Sequence, residues 1–338
     1  MKQWRSVTIT GPEHNASRTG GDPAKDMRRL DGAARKVFVI AGRCGRLANR
    51  LVLSANFMAL MEEQGHCLIN PTLHSYAACF ETTHRDVYCQ YPPTAQRNWL
   101  DMIPVIPNAI RGTRLLFHVA HAAGGLNERW PLFGDAVVTL RQSPGLKITA
   151  LDGPEVQDKI RRARLILVNG WNFRVPELVQ RHAGKIRDYF RPRELYEEAA
   201  SRVVDRLRQK ADVLVGVHIR HGDYRTWREG KCFFPSSRYA TWMRELAEEF
   251  PRSKVAFLIC SDEPRKAQEF PGLSIEFGPG PAIVDLDALA KCDYLLGPIS
   301  TFSQWASFYG QKPLLHLYDH NARIERGMFQ VSNLREIP

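Results

Sequence analysis

The segment VLVGVHIRHGDY, residues 213–224, decides the fold prediction for this chain. It begins as an almost unbroken run of apolar and β-branched residues, which is typical of a strand buried on both faces of a parallel sheet. The run ends in His218, Arg220, His221 and Asp223. Because ligands bind just outside the carboxyl ends of strands in open α/β sheets, this end of the strand is expected to carry a site. The alternative is an edge strand on which His218 and Arg220 share one face and one of them pairs with Asp223.

The C-terminal half continues with the same pattern. Short apolar runs predict further strands at 254–260, 273–277, 294–297 and 314–317. Helices are predicted before, between and after them, at 192–211, from an N-cap at Ser236 or Ser237, briefly from Ser261 or Asp262, at 281–292 and at 302–310. Strands that alternate with helices in this way indicate a doubly wound, Rossmann-like parallel sheet.

The N-terminal half opens with a strand, a glycine-containing loop and a helix. VFVIA (37–41) predicts the strand, and the amphipathic segment from Leu47 predicts a helix that ends at Gly65. Such a loop points backbone N–H groups at an anion, and Arg46 and Asn49 lie about one helical turn apart, where both can face one ligand. The alternative is a satisfied helix N-terminus with Arg46 on the surface.

The rest of the N-terminal half is less regular. Strands are predicted at 115–119, 136–140 and 164–169. Trp171, Asn172 and Phe173 follow the last of these strands. They are candidates for lining an acceptor cleft, with ordinary core or interface aromatic packing as the alternative.

Composition excludes several classes of protein. The 338 residues are 44% hydrophobic and 25% charged, as expected for a globular protein of about two domains. The longest apolar runs are far below the ~18 residues of a membrane span, and the N-terminus lacks the apolar region of a secretory signal, so a cytoplasmic protein is expected. The seven cysteines form no C-x-x-C pair, and neither a metal site nor a disulfide framework is expected.

The formal charge of +11 is concentrated in two segments. Residues 1–36 hold eight Lys/Arg and four Asp/Glu, and residues 161–193 hold nine Lys/Arg and two acids. A local basic surface indicates an acidic partner such as nucleic acid, an anionic glycan or membrane headgroups, unless it is only a solvated helix face. No RNP-like, C2H2 or helix-turn-helix pattern accompanies these residues, which disfavours nucleic acid.

Polar residues follow the predicted C-terminal strands. Ser300, Thr301 and the N–H groups of the helix behind them predict an anion site, to which Arg220 adds a bidentate clamp on phosphate. Asp285, in the first turns of its helix, is suited to accept two hydrogen bonds from guanine; the alternative is charge complementarity with the helix dipole. Neither a G-x-x-x-x-G-K-[ST] nor a G-x-G-x-x-G pattern is present, which disfavours phosphate-loop NTPases and dinucleotide oxidoreductases.

Three blocks of this sequence carry a family resemblance. GRCGRLANR (42–50), HIRHGDY (218–224) and IVDLDALAKCDYLLGPISTFSQWASFYG (283–310) resemble, in order, the motifs of the fucosyltransferase superfamily. That superfamily joins bacterial alpha-1,2- and alpha-1,6-fucosyltransferases with protein O-fucosyltransferases. Ala48, Arg50 and His221 depart from the usual residues and bear on the donor sugar and the regiochemistry more than on the fold.

The resemblance implies a GT-B fold, two Rossmann-like α/β domains facing each other across a cleft, with GDP-fucose as donor and neither a metal nor another cofactor. The polar composition of residues 1–34 predicts a flexible basic arm with a short strand at 6–10. The other predicted parts are an acceptor-side domain over 35–190, a GDP-sugar-binding domain over 191–318, and a tail over 319–338 that packs back on the domains. The predicted donor-binding residues are Gly45, Arg46, Asn49, His218, Asp262, Asp285, Ser300, Thr301, Phe302 and Ser303.

The predicted activity is inverting transfer of fucose from GDP-fucose to a hydroxyl of a glycan, which is anionic or lipid-linked in one version of this prediction. The resemblance implies that Arg220 contacts the diphosphate and the leaving oxygen. A preorganised guanidinium there stabilises the negative charge that grows as the sugar–phosphate bond breaks. Asp223 and Glu229 are the acids nearest in sequence that could take the acceptor proton. The rivals are a transferase of another GDP sugar and a non-catalytic protein that binds nucleic acid or another polyanion. Peripheral membrane association is the alternative to a purely cytoplasmic location.

Overall fold

The computed structural model describes residues 35–93, 109–130, 134–145 and 147–335. They all belong to one compact unit, Arg35–Pro338, so the predicted arm at 1–34 and its strand at 6–10 lie outside the described residues.

The first sheet of this unit is built from residues of the N-terminal half. Its strands are β1 (Val37–Ile40), β2 (Cys67–Ile69), β3 (Gln90–Tyr91), β4 (Val137–Arg141) and β6 (Leu165–Asn169). They lie in the order β3-β2-β1-β6-β4, and every pair is parallel except β2 with β3. Two short strands, β5 (Thr149–Ala150) and β7 (Phe173–Arg174), form a separate parallel pair.

Helix α1 (Leu47–Gln64) is the central helix of this half and ends at Gly65, in the left-handed conformation with φ 67°. All but two of its residues from Leu47 to Met61 are buried, on every side of the helix. A helix that is apolar all round must be covered all round, and α1 packs on α4 (Pro176–Arg181), on α5 (Ala183–Tyr189) and on a helix of the second sheet. Helix α1 therefore packs against elements of both halves and connects the two sheets.

The remaining helices of this half are α2 (Ala109–Arg129) and α3 (Pro154–Arg162). Helix α2 overturns the strand predicted at 115–119, which was wrong. The run LLFHV is apolar at four of five positions and so carries no period to separate strand from helix. In the helix Phe117 is 9% exposed, whereas Leu115 and Val119 face outward at 66% and 58%.

The second sheet is built from the C-terminal half and confirms the predicted alternation. Helices α6 (Glu194–Arg208), α7 (Ser236–Glu248), α8 (Ala282–Ala290) and α9 (Thr301–Gly310) accompany the strands. The strands are β8 (Val213–Ile219), β9 (Val255–Ser261), β10 (Ile275–Phe277), β11 (Tyr294–Pro298), β12 (Pro313–Leu317) and β13 (Gln330–Val331), in the order β10-β9-β8-β11-β12-β13.

Strand β8 lies inside this sheet, parallel to both β9 and β11. The edge-strand alternative for 213–219 is therefore wrong. Its interior position also explains the composition of the strand, because six of its seven residues are buried.

Two smaller predictions for this half were also wrong. The residues after β9 form no helix at Ser261 or Asp262 but one 3₁₀ turn at Ala267–Glu269, since Pro264 interrupts the segment. Pro235 rather than a serine is the N-cap of α7. The sheet also gains β13, antiparallel to β12, which the sequence pattern did not predict.

Asp293 joins α6 to the start of β8. Its carboxylate accepts hydrogen bonds from both terminal nitrogens of Arg208 at 2.5 and 2.6 Å and from the backbone N–H of Leu214 at 2.8 Å. These bonds hold the carboxylate in its charged form, and they lower the pKa of Asp293 although partial burial opposes this.

We expect Asp293→Ala to lower the free energy of unfolding by about 1–2 kcal/mol, because it leaves Arg208 and an N–H of β8 without their acceptor. Arg206→Ala, which breaks the more exposed pair with Glu276, is the control and should cost less than about 1 kcal/mol. Urea unfolding of both variants measures the difference. Equal losses would contradict the role given to Asp293.

Candidate active site

A cavity of about 560 Å³ lies between the two sheets, where the strands of both end. From the first sheet it receives the loop after β1 and the residue Trp171 after β6. From the second it receives the residues that follow β8, β9 and β11. Eleven of the thirteen predicted site residues line it: Gly45, Arg46, Asn49, His218, Arg220, Asp223, Asp262, Asp285, Ser300, Thr301 and Phe302.

Arg220 lies directly after β8 and is held by two carboxylates. Its Nε donates to Oδ1 of Asp223 at 2.8 Å, and it lies 3.3 Å from Oδ2 of Asp262. The other oxygen of Asp262 accepts the backbone N–H of His221 at 2.8 Å, so this carboxylate is fixed to the loop. The guanidinium is thus preorganised at the cavity with 19% of its side chain exposed.

His218 lies one residue before the end of β8 and is 5% exposed. Burial, and next the positive charge of Arg220, lower the pKa of His218 to about 3. The imidazole is therefore neutral at pH 7, and it lies 4.9 Å from the ring of Phe302. Its Nδ1 is buried without a hydrogen-bond partner among the described residues. A neutral imidazole can serve as a hydrogen-bonding wall for a ligand but adds no charge.

Asp285 lies in the first turn of α8 and is 6% exposed. Burial raises the pKa of Asp285 to about 6, and the hydrogen bond from the N–H of Gly280, at 2.9 Å, opposes the rise. No cation pairs with this carboxylate among the described residues. A buried carboxylate with spare acceptor capacity at a cavity wall is suited to bind a paired N–H donor of a ligand.

The N-terminus of α9 supplies the third polar wall. Ser300 is its N-cap, and the Ser300 hydroxyl accepts the backbone N–H of Phe302 at 3.2 Å. Thr301 donates its hydroxyl proton to the side-chain oxygen of Asn49 at 2.5 Å. This bond connects the first turn of α9 with the first turn of α1, so the two helix N-termini meet at one cavity.

Gly45 forms the floor beside this contact. A Cβ at position 45 would lie 2.1 Å from the side-chain nitrogen of Asn49 and would displace that amide. Arg46, the N-cap residue of α1, is exposed next to it and lines the cavity, so its positive charge is presented there.

We expect Gly45→Ala to lower kcat/KM for the activity of this cavity about tenfold, because it breaks the Asn49–Thr301 contact. The matched control is Gly184→Ala in α5, where an added Cβ meets no atom within 4 Å. Steady-state rates and melting temperatures of both variants separate a local effect from a loss of stability. A Gly45→Ala enzyme with the rate of the control would contradict this role.

Two predicted site residues lie outside the cavity lining. Glu229 pairs with Lys231 at 2.9 Å and its side chain is 83% exposed, which disfavours it as the residue that takes a proton. Ser303 is 1% exposed, and its hydroxyl donates to backbone oxygens of Ser300 and Pro298. It shapes the turn before α9 from within.

The sequence did not identify several of the aromatic residues of the cavity. Tyr76, Tyr224 and Trp227 line it together with Trp171. Tyr224 donates its hydroxyl proton to the carbonyl of Ile299 at 2.5 Å, and its ring stacks on Trp227 at 4.8 Å between centroids. Of the group 171–173 only Trp171 lines the cavity, since Asn172 and Phe173 are fully buried. The aromatic clusters WNF (171–173) and DYRTW (223–227) are the features of the sequence that could have indicated Trp171, Tyr224 and Trp227.

Five of the nine basic side chains of segment 161–193 pair with acids among the described residues. Arg181 pairs with Glu63 at 2.6 Å, Lys185 pairs with Glu62, and Arg191 pairs with Asp188 at 3.3 Å. Arg161 and Arg162 share Asp158 at 3.0 and 2.7 Å. Part of the charge surplus that suggested a polyanion-binding surface is therefore engaged in ion pairs on helices.

Three further properties bear on the sequence predictions. The seven cysteines are free thiols, and only Cys79 is not buried. Within the described ranges no cluster of three or more His, Cys, Asp or Glu residues is placed to hold a metal ion. Among the same residues, no helix combines the length and the apolar character needed to cross a membrane.

Two largely parallel α/β sheets that face a shared cavity with their strand ends define the GT-B class of fold, as predicted. No family model matches the chain. Nodulation protein Z of Azorhizobium caulinodans is 29% identical over 154 residues, which cover 35% of this chain and 43% of that protein. The match thus spans less than half of the curated relative.

Solved structures with a similar chain course include an Arabidopsis thaliana FUT1 mutant in complex with GDP, at 14% identity and a TM-score of 0.49 over 91% of this chain and 76% of that one. The fucosyltransferase NodZ from Bradyrhizobium is 15% identical, with a TM-score of 0.47 over 81% of this chain and 92% of that one. POFUT1 in complex with GDP-fucose is 12% identical, with a TM-score of 0.48 over 83% of this chain and 96% of that one. The predicted resemblance to the fucosyltransferase superfamily is confirmed.

Proposed function

We propose that this protein is a glycosyltransferase that moves fucose from GDP-fucose to a hydroxyl group of a glycan, with inversion at the anomeric carbon and without a metal ion. The observation that carries the proposal is the placement of Arg220, Asp285 and the N-terminus of α9 around one cavity. These are a cation for a diphosphate, a buried acceptor for a guanine edge, and a helix end that favours negative charge.

The donor is assigned to the second sheet. The guanine N1–H and 2-amino group donate to the carboxylate of Asp285, which needs them because its own neighbours leave it with one backbone donor, Gly280. The diphosphate lies against Arg220 and the first turn of α9. POFUT1 has been solved with GDP-fucose, and by similarity we assign the same donor to this chain.

The acceptor enters from the first sheet, past Trp171 and Tyr76. Its oxygen forms a bond to the anomeric carbon while the bond from that carbon to the β-phosphate oxygen breaks on the opposite face. The leaving GDP takes the electron pair, and the guanidinium of Arg220 stabilises the charge that grows on it. Asp223 is the remaining candidate for taking the acceptor proton, but it is also the partner of Arg220.

The test uses water as the acceptor, so it requires no knowledge of the glycan. GDP-fucose is incubated with the enzyme in EDTA, with GDP-mannose as the control donor, and the released sugar is followed by NMR. We expect slow release of GDP and of free fucose whose first-formed anomer is opposite to that of the donor. Retention of configuration would overturn inversion, and loss of activity in EDTA would overturn metal independence. Equal release from both donors would overturn fucose specificity.

A further inference from the structure

A second cavity of about 680 Å³ lies on the side of the first sheet, next to the one described above. Gly45 lines both cavities, so they adjoin at the loop between β1 and α1. The basic side chains that line the second cavity are Arg43, Arg50, His74, Arg114 and His118. No Asp or Glu lines it among the described residues.

The three arginines of this cavity have no acidic partner among the described residues, unlike Arg161, Arg162, Arg181 and Arg191 of segment 161–193. Arg50 donates its Nε to the carbonyls of Cys44 and Gly45 at 3.3 and 3.1 Å and its Nη1 to the carbonyl of Thr72. Its guanidinium also lies 5.1 Å from the centre of the Tyr76 ring. All of these partners are neutral, so Arg50 is fixed in place with its charge uncompensated.

Arg43 and Arg114 are exposed and make no ion pair within the parts of the chain that the structure describes. A purely structural role accounts for Arg50, which braces the loop 44–45 against Thr72, but leaves these two arginines without a partner. The positive charges also act on a neighbouring side chain. Burial lowers the pKa of His74, and the charges of Arg50 and Arg114 lower it further. Three like charges around one concave surface favour an anion there.

We propose that this second cavity binds an anionic group of the acceptor glycan, a carboxylate, sulfate or phosphate, and so presents the acceptor to the donor cavity. The inference rests on the proposed function for its acceptor role. The two cavities adjoin at Gly45, and Tyr76 of the donor cavity lies against the guanidinium of Arg50, which lines the second cavity. A charged group held there leaves the attached sugar beside the reacting centre.

The first test measures binding of small anions to the full chain saturated with GDP, so that the donor cavity is filled. Sulfate, phosphate and glucuronate are titrated at constant ionic strength into the wild type, Arg43→Gln/Arg114→Gln and the control Arg202→Gln, an exposed arginine of α6 paired with Glu198. We expect binding to weaken at least about tenfold in the double variant and to stay unchanged in the control. The anion that binds most tightly identifies the chemical group. Equal affinities in all three proteins would overturn the proposal.

The second test asks whether the bound anion belongs to an acceptor. Initial rates are compared for a uronic-acid oligosaccharide and for the same oligosaccharide after reduction of its carboxyl groups. We expect kcat/KM to favour the charged form at least about tenfold in the wild type and Arg202→Gln, and the preference to vanish in the double variant. Fucose transfer without this preference would overturn the acceptor role while the proposed function stands. Anion binding in a protein that neither binds GDP nor cleaves GDP-fucose would overturn both the function and the acceptor assignment.

Discussion

Replacing Arg220 with Ala is expected to lower kcat for fucose transfer about a hundred- to a thousandfold. The guanidinium is the cation fixed at the cavity wall by Asp223 and Asp262, and its position costs no rearrangement when charge develops on the leaving diphosphate. Loss of one such preorganised donor is worth about 3–4 kcal/mol in enzymes that stabilise an oxyanion. The effect should fall mainly on kcat, since it arises in the transition state.

Arg220→Lys is the informative companion. Lysine keeps the charge but lacks the planar fork that reaches both carboxylates, so we expect a partial loss of roughly tenfold. Asp223→Asn tests the other half of the pair: a loss confined to kcat that changes the pH profile would favour proton transfer by Asp223. An Arg220→Ala enzyme within threefold of the wild-type kcat would contradict the role of Arg220.

Asp285→Asn is expected to weaken GDP binding at least about tenfold and, at the same time, to stabilise the free protein. Asparagine can still accept the N–H of Gly280, but its amide cannot accept both donors of guanine. The buried carboxylate costs stability because the pKa of Asp285 is about 6 in the folded protein, against about 3.9 for an unperturbed aspartate.

The sign of the pH dependence follows from this difference. The folded protein binds the proton of Asp285 more tightly than the unfolded chain does. The resulting gain in the free energy of unfolding is complete below about pH 4 and is lost as the pH rises through 6. Above that pH the charged carboxylate costs about 3 kcal/mol relative to its protonated form. The stability gain of Asp285→Asn over the wild type should therefore grow by about 1 kcal/mol between pH 5 and pH 7.5.

Denaturant unfolding of the wild type and Asp285→Asn at these two pH values measures the gain. The ratio of their GDP affinities, in which titration of the phosphates cancels, should shrink below pH 6 as the wild-type carboxylate becomes protonated. A variant that is less stable than the wild type at pH 7.5, or a GDP affinity equal to that of the wild type there, would contradict the assignment of Asp285.

The second sheet could be predicted closely because its strands are buried on both faces and punctuated by helices of ordinary length. Val213–Ile219 illustrates this: burial on both faces demands an unbroken apolar run, and such a run is visible in sequence. Its site residues were predicted for the same reason. Parallel strands place all their carboxyl ends at one edge, so Arg220, Asp262 and Ser300 had to come together.

The first sheet shows where sequence reasoning ends. Residues 115–119 of α2 were predicted as a strand because their apolar run has no helical period, and Leu115 and Val119 indeed face outward, so the apolar residues do not mark the buried side. Tyr76 reaches the cavity from a 3₁₀ turn region that has no period of its own, and Trp171 reaches it from the three-residue connection between β6 and β7. Contacts of this kind depend on the tertiary path of loops. The second cavity lies between α1 and α2, and no sequence pattern indicated it either.

The domain boundary near residue 190 stays a prediction, because Arg35–Pro338 is one compact unit. Helix α1, buried on all sides, packs against α9 of the second sheet, and the Asn49–Thr301 bond joins their first turns. This makes the cavity floor a shared structure of both halves, and it suggests that substitutions at the floor act on donor and acceptor together.

The most direct test of the account is a calorimetric titration of GDP into the protein in EDTA, with UDP and ADP as matched nucleotides and Asp285→Asn as the control protein. The account predicts that GDP binds at least about tenfold more tightly than UDP or ADP, and that Asp285→Asn removes this preference. Equal binding of the three nucleotides to the wild type, or no binding of any, would contradict it.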